Sequence, residues 1–327
     1  MQYDAIIVGG SFAGLTAAKY LARARRHVCV LDLGDPRHRF SAQPTGLSRR
    51  YDDNPHSVLQ SMWDEVATYP TVTLLAEAAV SVQAQLGDFV VTNWSGEHIA
   101  GRRLLLAFGV SDILLDIPGL SERWGVSVLP CPHFHGFEYG RKPVGVLNAS
   151  PQSPQQAMLL SQWCPTTFYL DGGECDVSMR ETLESLNVRI EAAPVKRLAG
   201  VGCNLARIYL ADNQIQPLDT LFLTPCHQLN SPIAEELGCA IDTGPLGQTI
   251  AVNAQQMTSI RHVYAAGDIC RQTANITLAC ADGMKAAMAI HHSLAFDRDN
   301  IEQRDPSNGG FRAGYVNLLR KEAPTFL

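Results

Sequence analysis

The stretch Ala5-Ile6-Ile7-Val8-Gly9-Gly10-Ser11-Phe12-Ala13-Gly14-Leu15 decides the fold. Its first four residues make a short apolar run of the kind buried on both faces of a parallel sheet. Gly9 permits a sharp exit from that strand, and the small residues up to Gly14 let backbone N–H groups face a pyrophosphate at the start of a helix. From Leu15 to Ala22 the apolar spacing is helical, and Gly14 lets that helix pack close to the sheet. Val28-Cys29-Val30-Leu31 is a second apolar strand. It ends on Asp32, 18 residues beyond Gly14, where a carboxylate can accept hydrogen bonds from a ribose. Strand, glycine turn, helix, strand and acid read as the first βαβ unit of a dinucleotide-binding fold, with Ser11 standing where the strict motif has its middle glycine.

Outward from this unit, residues 35–70 are polar and arginine-bearing, with one short helix. Strands resume at 72–75, 89–92 and 103–107, the last running into Phe108-Gly109-Val110 and then Asp116-Ile117-Pro118-Gly119. A second βαβ-like unit starts at Val144-Gly145-Val146-Leu147, passes through a helix near 155–163 and reaches Phe168-Tyr169-Leu170-Asp171. Later, His262-Val263-Tyr264-Ala265-Ala266 leads into Gly267-Asp268 and an alanine-rich helix over 277–294. This order predicts an α/β protein with two nucleotide-binding, Rossmann-like domains of three-layer ββα form, the second inserted into the first. Residues 1–114 plus 246–295 make the first, 115–245 the insertion, and 296–327 a tail carrying Phe311, Tyr315 and Phe326.

Composition sets the outer bounds. The chain has 327 residues, of which 46% are hydrophobic, enough for two domains with real cores and incompatible with disorder. A net charge of −6 without a Lys/Arg block argues against nucleic acid and anionic membranes as partners. No apolar run approaches the ~18 residues of a membrane span, and the chain enters a core strand too early for a secretory signal, so a cytoplasmic protein is expected. Nine cysteines at 29, 131, 164, 175, 203, 226, 239, 270 and 280 include no C-x-x-C spacing, which disfavours a local zinc site.

Taken together, these landmarks resemble the thioredoxin reductase-like flavoproteins of the class II pyridine nucleotide-disulfide oxidoreductase family. Gly9, Gly10, Ser11, Phe12, Ala13 and Gly14 correspond to that family's FAD pyrophosphate loop. Ala107-Phe108-Gly109 resembles its Ala-Thr-Gly strand end, and Tyr264-Ala265-Ala266-Gly267-Asp268 its flavin-contacting motif. The resemblance implies FAD, with Asp32 on the adenosine ribose and Asp268 on the ribityl chain. Arg39, Ala107, Gly109 and Gly267 complete the cofactor set. It also implies that the helix after Asp268 aims its N-terminal dipole at the isoalloxazine, and that the protein is a homodimer. Cys131-Pro132-His133-Phe134-His135-Gly136 sits where the family carries Cys-x-x-Cys followed by His-Gly or Asp-Gly. By that alignment Cys131 and His135 are the catalytic thiol and its acid/base group, and Cys280 or Cys270 are candidate partners for Cys131.

Three departures bear on function. Phe134 replaces the second cysteine, so a dithiol relay through 131 and 134 is chemically impossible. The second glycine loop reads Asn148-Ala149-Ser150-Pro151-Gln152-Ser153-Pro154, whose side chains crowd a pyrophosphate and whose prolines remove backbone donors. After the next strand, Asp171-Gly172-Gly173-Glu174 offers no arginine for a 2′-phosphate. The sequence therefore predicts an FAD enzyme that does not use NADPH in the usual way. It would exchange electrons between flavin and thiols or disulfides, on a small molecule or a redox protein. A diflavin variant with a second FAD in the altered site, a single-flavin oxidase, a ferredoxin-linked reductase and a flavin-binding sensor stay open beside it.

Overall fold

A computed structural model describes residues 2–37, 55–85, 87–133 and 140–296. In chain order the first elements are β1 (Gln2–Tyr3), β2 (Ala5–Val8), α1 (Phe12–Arg23), β3 (Val28–Leu31), α2 (Pro55–Ala67) and β4 (Val72–Leu75). They are followed by β5 (Ala79–Gln85), β6 (Asp88–Asn93), β7 (His98–Gly101), β8 (Leu104–Leu106) and β9 (Val110–Ile113). Next come β10 (Val128–Leu129), β11 (Val144–Leu147), α3 (Ser153–Leu160), β12 (Thr166–Tyr169), α4 (Val177–Ser185) and β13 (Arg189–Glu191). β14 (Val195–Val201), β15 (Asn204–Leu210), β16 (Ile215–Pro217), β17 (Leu221–Phe222) and β18 (Cys226–Leu229) come after them. The last are α5 (Ile233–Glu236), β19 (Ile241–Gly244), β20 (Gly247–Ile250), β21 (Val263–Ala265) and α6 (Ile276–Phe296).

The first parallel sheet has the order β21-β8-β2-β3-β4. Its central strands are uninterrupted apolar runs because both faces are covered, and every residue of β2, β3 and β8 is buried. The register decides where the chemistry can sit. Val8 pairs with Leu31 and with Leu106, and Leu106 pairs with Ala265. The next residue of each strand, Gly9, Asp32, Ala107 and Ala266, therefore emerges at one level on the carboxyl edge. The chain runs outward in both directions from β2, which makes this edge a topological switch point, the usual place for a ligand in an open α/β sheet. α1 buries Leu15, Ala18, Leu21 and Ala22 on the sheet and turns Lys19 outward to Glu65 of α2 at 2.6 Å.

A second parallel sheet, β10-β17-β11-β12-β13, repeats the plan. Alternation along β11 sends Val146 to a core shared with Leu160 and Leu183 of the helices, and Leu147 to a core shared with Leu198 and Ile208 of the three-stranded meander β14-β15-β16. A helix layer, a parallel sheet and a meander give the three-layer ββα form expected from sequence. The first sheet has its own meander-like companion in β1-β7-β6-β5. β18 pairs antiparallel with β9, and β20 pairs with β18, so residues 226–250 share a sheet with residues that precede the second unit.

The helices at 155–163 and 277–294 expected from periodicity run at Ser153–Leu160 and Ile276–Phe296. Pro154 accounts for the earlier start of α3, since a proline at the first turn is preorganised for a helix and lacks only a donor that would be orphaned there. Among the described residues no helix is long and apolar enough to cross a membrane.

Candidate active site

The carboxyl edge of the first sheet opens into a cavity of about 510 Å³. Gly9 leaves β2 at φ +108°, and a Cβ there would lie 2.2 Å from the Ala107 carbonyl oxygen. A Cβ on Gly14 would lie 1.8 Å from the Gly9 carbonyl oxygen, so only glycine lets α1 start this close to the strand. Ser11 at the N-cap of α1 makes no side-chain capping bond. Trp63 of α2 closes the outside of the loop by donating its indole N–H to the Gly10 carbonyl at 2.9 Å. Burial holds the Asp32 carboxyl above its usual value, opposed by hydrogen bonds from the backbone of Gly10, Gly34 and Leu33. A glycine cradle, a helix start without a side-chain cap and a half-buried acid at the end of the second strand fit the diphosphate and ribose of FAD.

The opposite wall carries a charge cluster that the motifs did not reveal. Arg37 donates from Nη1 to Asp268 at 3.0 Å and from Nε to Asp112 at 3.2 Å, with its second amino group also bound to Asp112. Burial works against its charge, but the two carboxylates hold Arg37 above its ordinary pKa. Asp112 lies on β9 and Asp268 follows β21, so one guanidinium ties the loop after β3 to two other segments of the cavity wall. Arg271, three residues beyond Asp268, pairs with the buried Asp282 of α6 and fixes the turn to that helix. His227 of β18 lines the same cavity, with Nε2 3.3 Å from the Gln248 carbonyl oxygen. Burial and the neighbouring Arg37 lower its pKa.

Gly9, Ser11, Phe12, Ala13, Asp32, Ala107, Gly109, Gly267 and Asp268, all expected from sequence, line this cavity, and Cys131 lines it with them. Gly10 and Gly14 serve it through backbone packing. Arg39 and His135 lie outside the described residues, as does the tail with Phe311, Tyr315 and Phe326. Among the described residues, neither Cys270 nor Cys280 lines the cavity. Cys280 sits on α6 with its sulfur 4.0 Å from the Phe12 carbonyl oxygen, and burial raises the pKa of both thiols. That is the environment of packed sulfur rather than of a thiolate. Arg37, Asp112, His227 and His133 are the site residues that the sequence reading passed over. Arg37 alone had a signal, as a basic residue in the loop just past Asp32.

The second sheet ends differently. Asn148 N–H donates to the Tyr169 carbonyl at 2.9 Å, and the Ala149 and Ser150 amides both donate to the Ser153 hydroxyl at 3.0 and 3.1 Å. Ser153 is fully buried. The turn corresponding to the first cradle is thus closed on itself.

Comparison with known proteins agrees with this geometry. Residues 3–162 match the family described as pyridine nucleotide-disulphide oxidoreductase. The structure of an oxidoreductase from Agrobacterium tumefaciens superposes with a TM-score of 0.86 at 34% identity, covering 91% of this chain and 100% of that one. The structure of HlmI gives a TM-score of 0.86 at 32% identity, over 92% of this chain and 95% of that one. A curated protein of Claviceps purpurea named as a thioredoxin reductase is 28% identical over 317 residues, 90% of this chain and 95% of its own length.

Proposed function

The chain belongs to the pyridine nucleotide-disulphide oxidoreductase family as a thioredoxin reductase-like flavoprotein, and from that premise we propose that it carries one FAD and exchanges electrons with a dithiol–disulfide pair without using NADPH. One observation carries this reading. The turn that would hold the pyrophosphate of NADPH already uses the amides of Ala149 and Ser150 on the Ser153 hydroxyl, and Pro151 and Pro154 have none to offer. Asp171 of the following segment accepts from the Val195 amide at 2.6 Å, which keeps an acid where a 2′-phosphate would need a base. The same internal bonds oppose the pyrophosphate of a second FAD, and this favours one flavin over two.

When bound, FAD supplies the two-electron chemistry that links dithiol oxidation to an acceptor such as dioxygen or a redox protein. The chain's own contribution begins with holding it. The cradle of Gly9 to Gly14 takes the diphosphate, Asp32 the ribose, and Asp268, fixed by Arg37, the ribityl chain. Cys131 is the thiol that meets substrate. In the dithiol direction its thiolate would join one substrate thiolate in an S–S bond, the two electrons released being those that bound FAD would take up. The second substrate thiolate then attacks the substrate sulfur of that mixed disulfide, which closes the substrate disulfide and releases Cys131 as a thiolate. Sheet membership further suggests domain limits at 2–116 with 226–291 for the FAD domain and 117–225 for the insertion, in place of a return at 246.

Anaerobic titration tests the reading. Dithiothreitol is expected to bleach the flavin absorbance, and micromolar NADPH is expected to leave it. Rapid stoichiometric bleaching by NADPH overturns the donor assignment. Cys131→Ser should keep its FAD and lose dithiol-driven bleaching; a wild-type rate in that variant removes Cys131 from the mechanism.

A further inference from the structure

Cys131 has a neighbour that the family motif does not assign. Its sulfur lies 3.9 Å from Nδ1 of His133, and both side chains line the cavity. The His133 ring stands edge-on to Trp163, with centroids 6.3 Å apart and planes at 78°. Gln156, buried in α3, donates from Nε2 to the Pro130 carbonyl at 2.9 Å and so ties the backbone just ahead of Cys131 to the helix that Trp163 follows. One element thus supports the thiol through its backbone and the imidazole through its ring.

We propose that His133 is the proton acceptor of Cys131, with Trp163 and Gln156 as positioning residues; this rests on the reading of Cys131 as the exchanging thiol. The proton leaves Sγ for Nδ1 of a ring that carries its hydrogen on Nε2. The products are a thiolate and an imidazolium, and no electron moves. Phe134 cannot supply a second thiol, so a nearby base is what raises the thiolate fraction of the single sulfur. α3 presents Gln155, Gln156 and Leu159 to the cavity, and these do not ionise. Among the described residues the charged groups on the cavity wall are Asp32, Asp35, Arg37, Asp112 and Asp268, and His227 is a further titratable one.

Peptide-resolved alkylation with iodoacetamide across a pH series, on FAD-loaded protein, follows Cys131 apart from the other eight cysteines. Wild-type Cys131 is expected to reach half-maximal labelling below about pH 7.5, under the ~8.5 of an isolated thiol. His133→Asn should move that midpoint upward and slow labelling at pH 7 about tenfold, and Trp163→Leu should move it part of the way. Flavin content and slow labelling of buried Cys29 report that each variant is folded. An unmoved profile in His133→Asn overturns the assignment, as does a shift seen in His135→Asn and not in His133→Asn. Failure of the underlying reading looks different. A shifted profile in His133→Asn, beside undiminished dithiol-driven bleaching in Cys131→Ser, supports the pair and overturns the exchange role of Cys131.

Discussion

Arg37 faces two carboxylates, and removing it would leave Asp112 and Asp268 side by side without a counter-charge. Arg37→Met is therefore expected to weaken FAD retention at least tenfold, read as flavin released on gel filtration, because Asp268 loses the group that fixes it on the cavity wall. Arg271→Leu tests a more buried pair. It strands Asp282, which is 2% exposed, and should lower stability by about 3–5 kcal/mol in urea titration. His227 gives a pH signature. In the unfolded chain an imidazole gains its proton near pH 6.5, whereas burial and Arg37 keep His227 neutral to lower pH in the folded protein. Unfolding therefore takes up a proton between those two points. Stability falls as pH drops through 6.5, and this contribution levels off once both forms are protonated. The wild-type minus His227→Gln difference in urea midpoint should accordingly shift with pH between about 7.5 and 5. A pH-independent difference would show that His227 binds its proton equally in the folded and unfolded chains.

At the scale of elements, the two phosphate-facing turns are the informative contrast. Both follow a buried parallel strand and start a helix without a side-chain cap, but in the second the Ala149 and Ser150 amides are folded onto the buried Ser153 hydroxyl. Ser153→Ala should leave the Ala149 and Ser150 amides unpaired and cost about 1–3 kcal/mol, seen as a lower unfolding midpoint with FAD retained. Gly14→Val should fail to load flavin, since its Cβ would meet the Gly9 carbonyl oxygen. The strands, the first cradle and Asp32 were legible in the sequence because buried parallel strands and phosphate turns are dictated locally, by apolar runs and by glycine. The loss of the second glycine turn was also legible. The role of Ser153 as its internal cap was not, since that depends on where one hydroxyl points. Arg37, Asp112 and His227 escaped notice for a related reason: they come from three segments that only the register of β3, β9 and β18 brings together. The approach of the Cys131 sulfur to Nδ1 of His133 depends on the local turn, and spacing alone does not specify it.

For the whole molecule, the homodimer expected from sequence can be argued from the surface of α6. Along that helix Leu278, Ala281, Met284 and Met288 are exposed or half-exposed at intervals that keep them on one side, with Met288 at 50% and Leu278 at 37%, and Lys285 the charged residue among them. A stripe of this kind, next to a helix face that buries Ala286, Ala287 and Ile290, is what a helix shared between two copies presents. An isologous contact places the same stripe on both sides of the axis, so one substitution acts twice. Met288→Glu would set a carboxylate into that contact on each copy, while in a monomer it would only replace an exposed apolar side chain by a charged one. The wild-type protein is therefore expected to scatter light as a particle of twice the chain mass. Met288→Glu should shift it toward the single-chain mass with flavin content preserved. A concentration-independent monomer in the wild type rules the dimer out. A dimer unmoved by the substitution places the contact on another face.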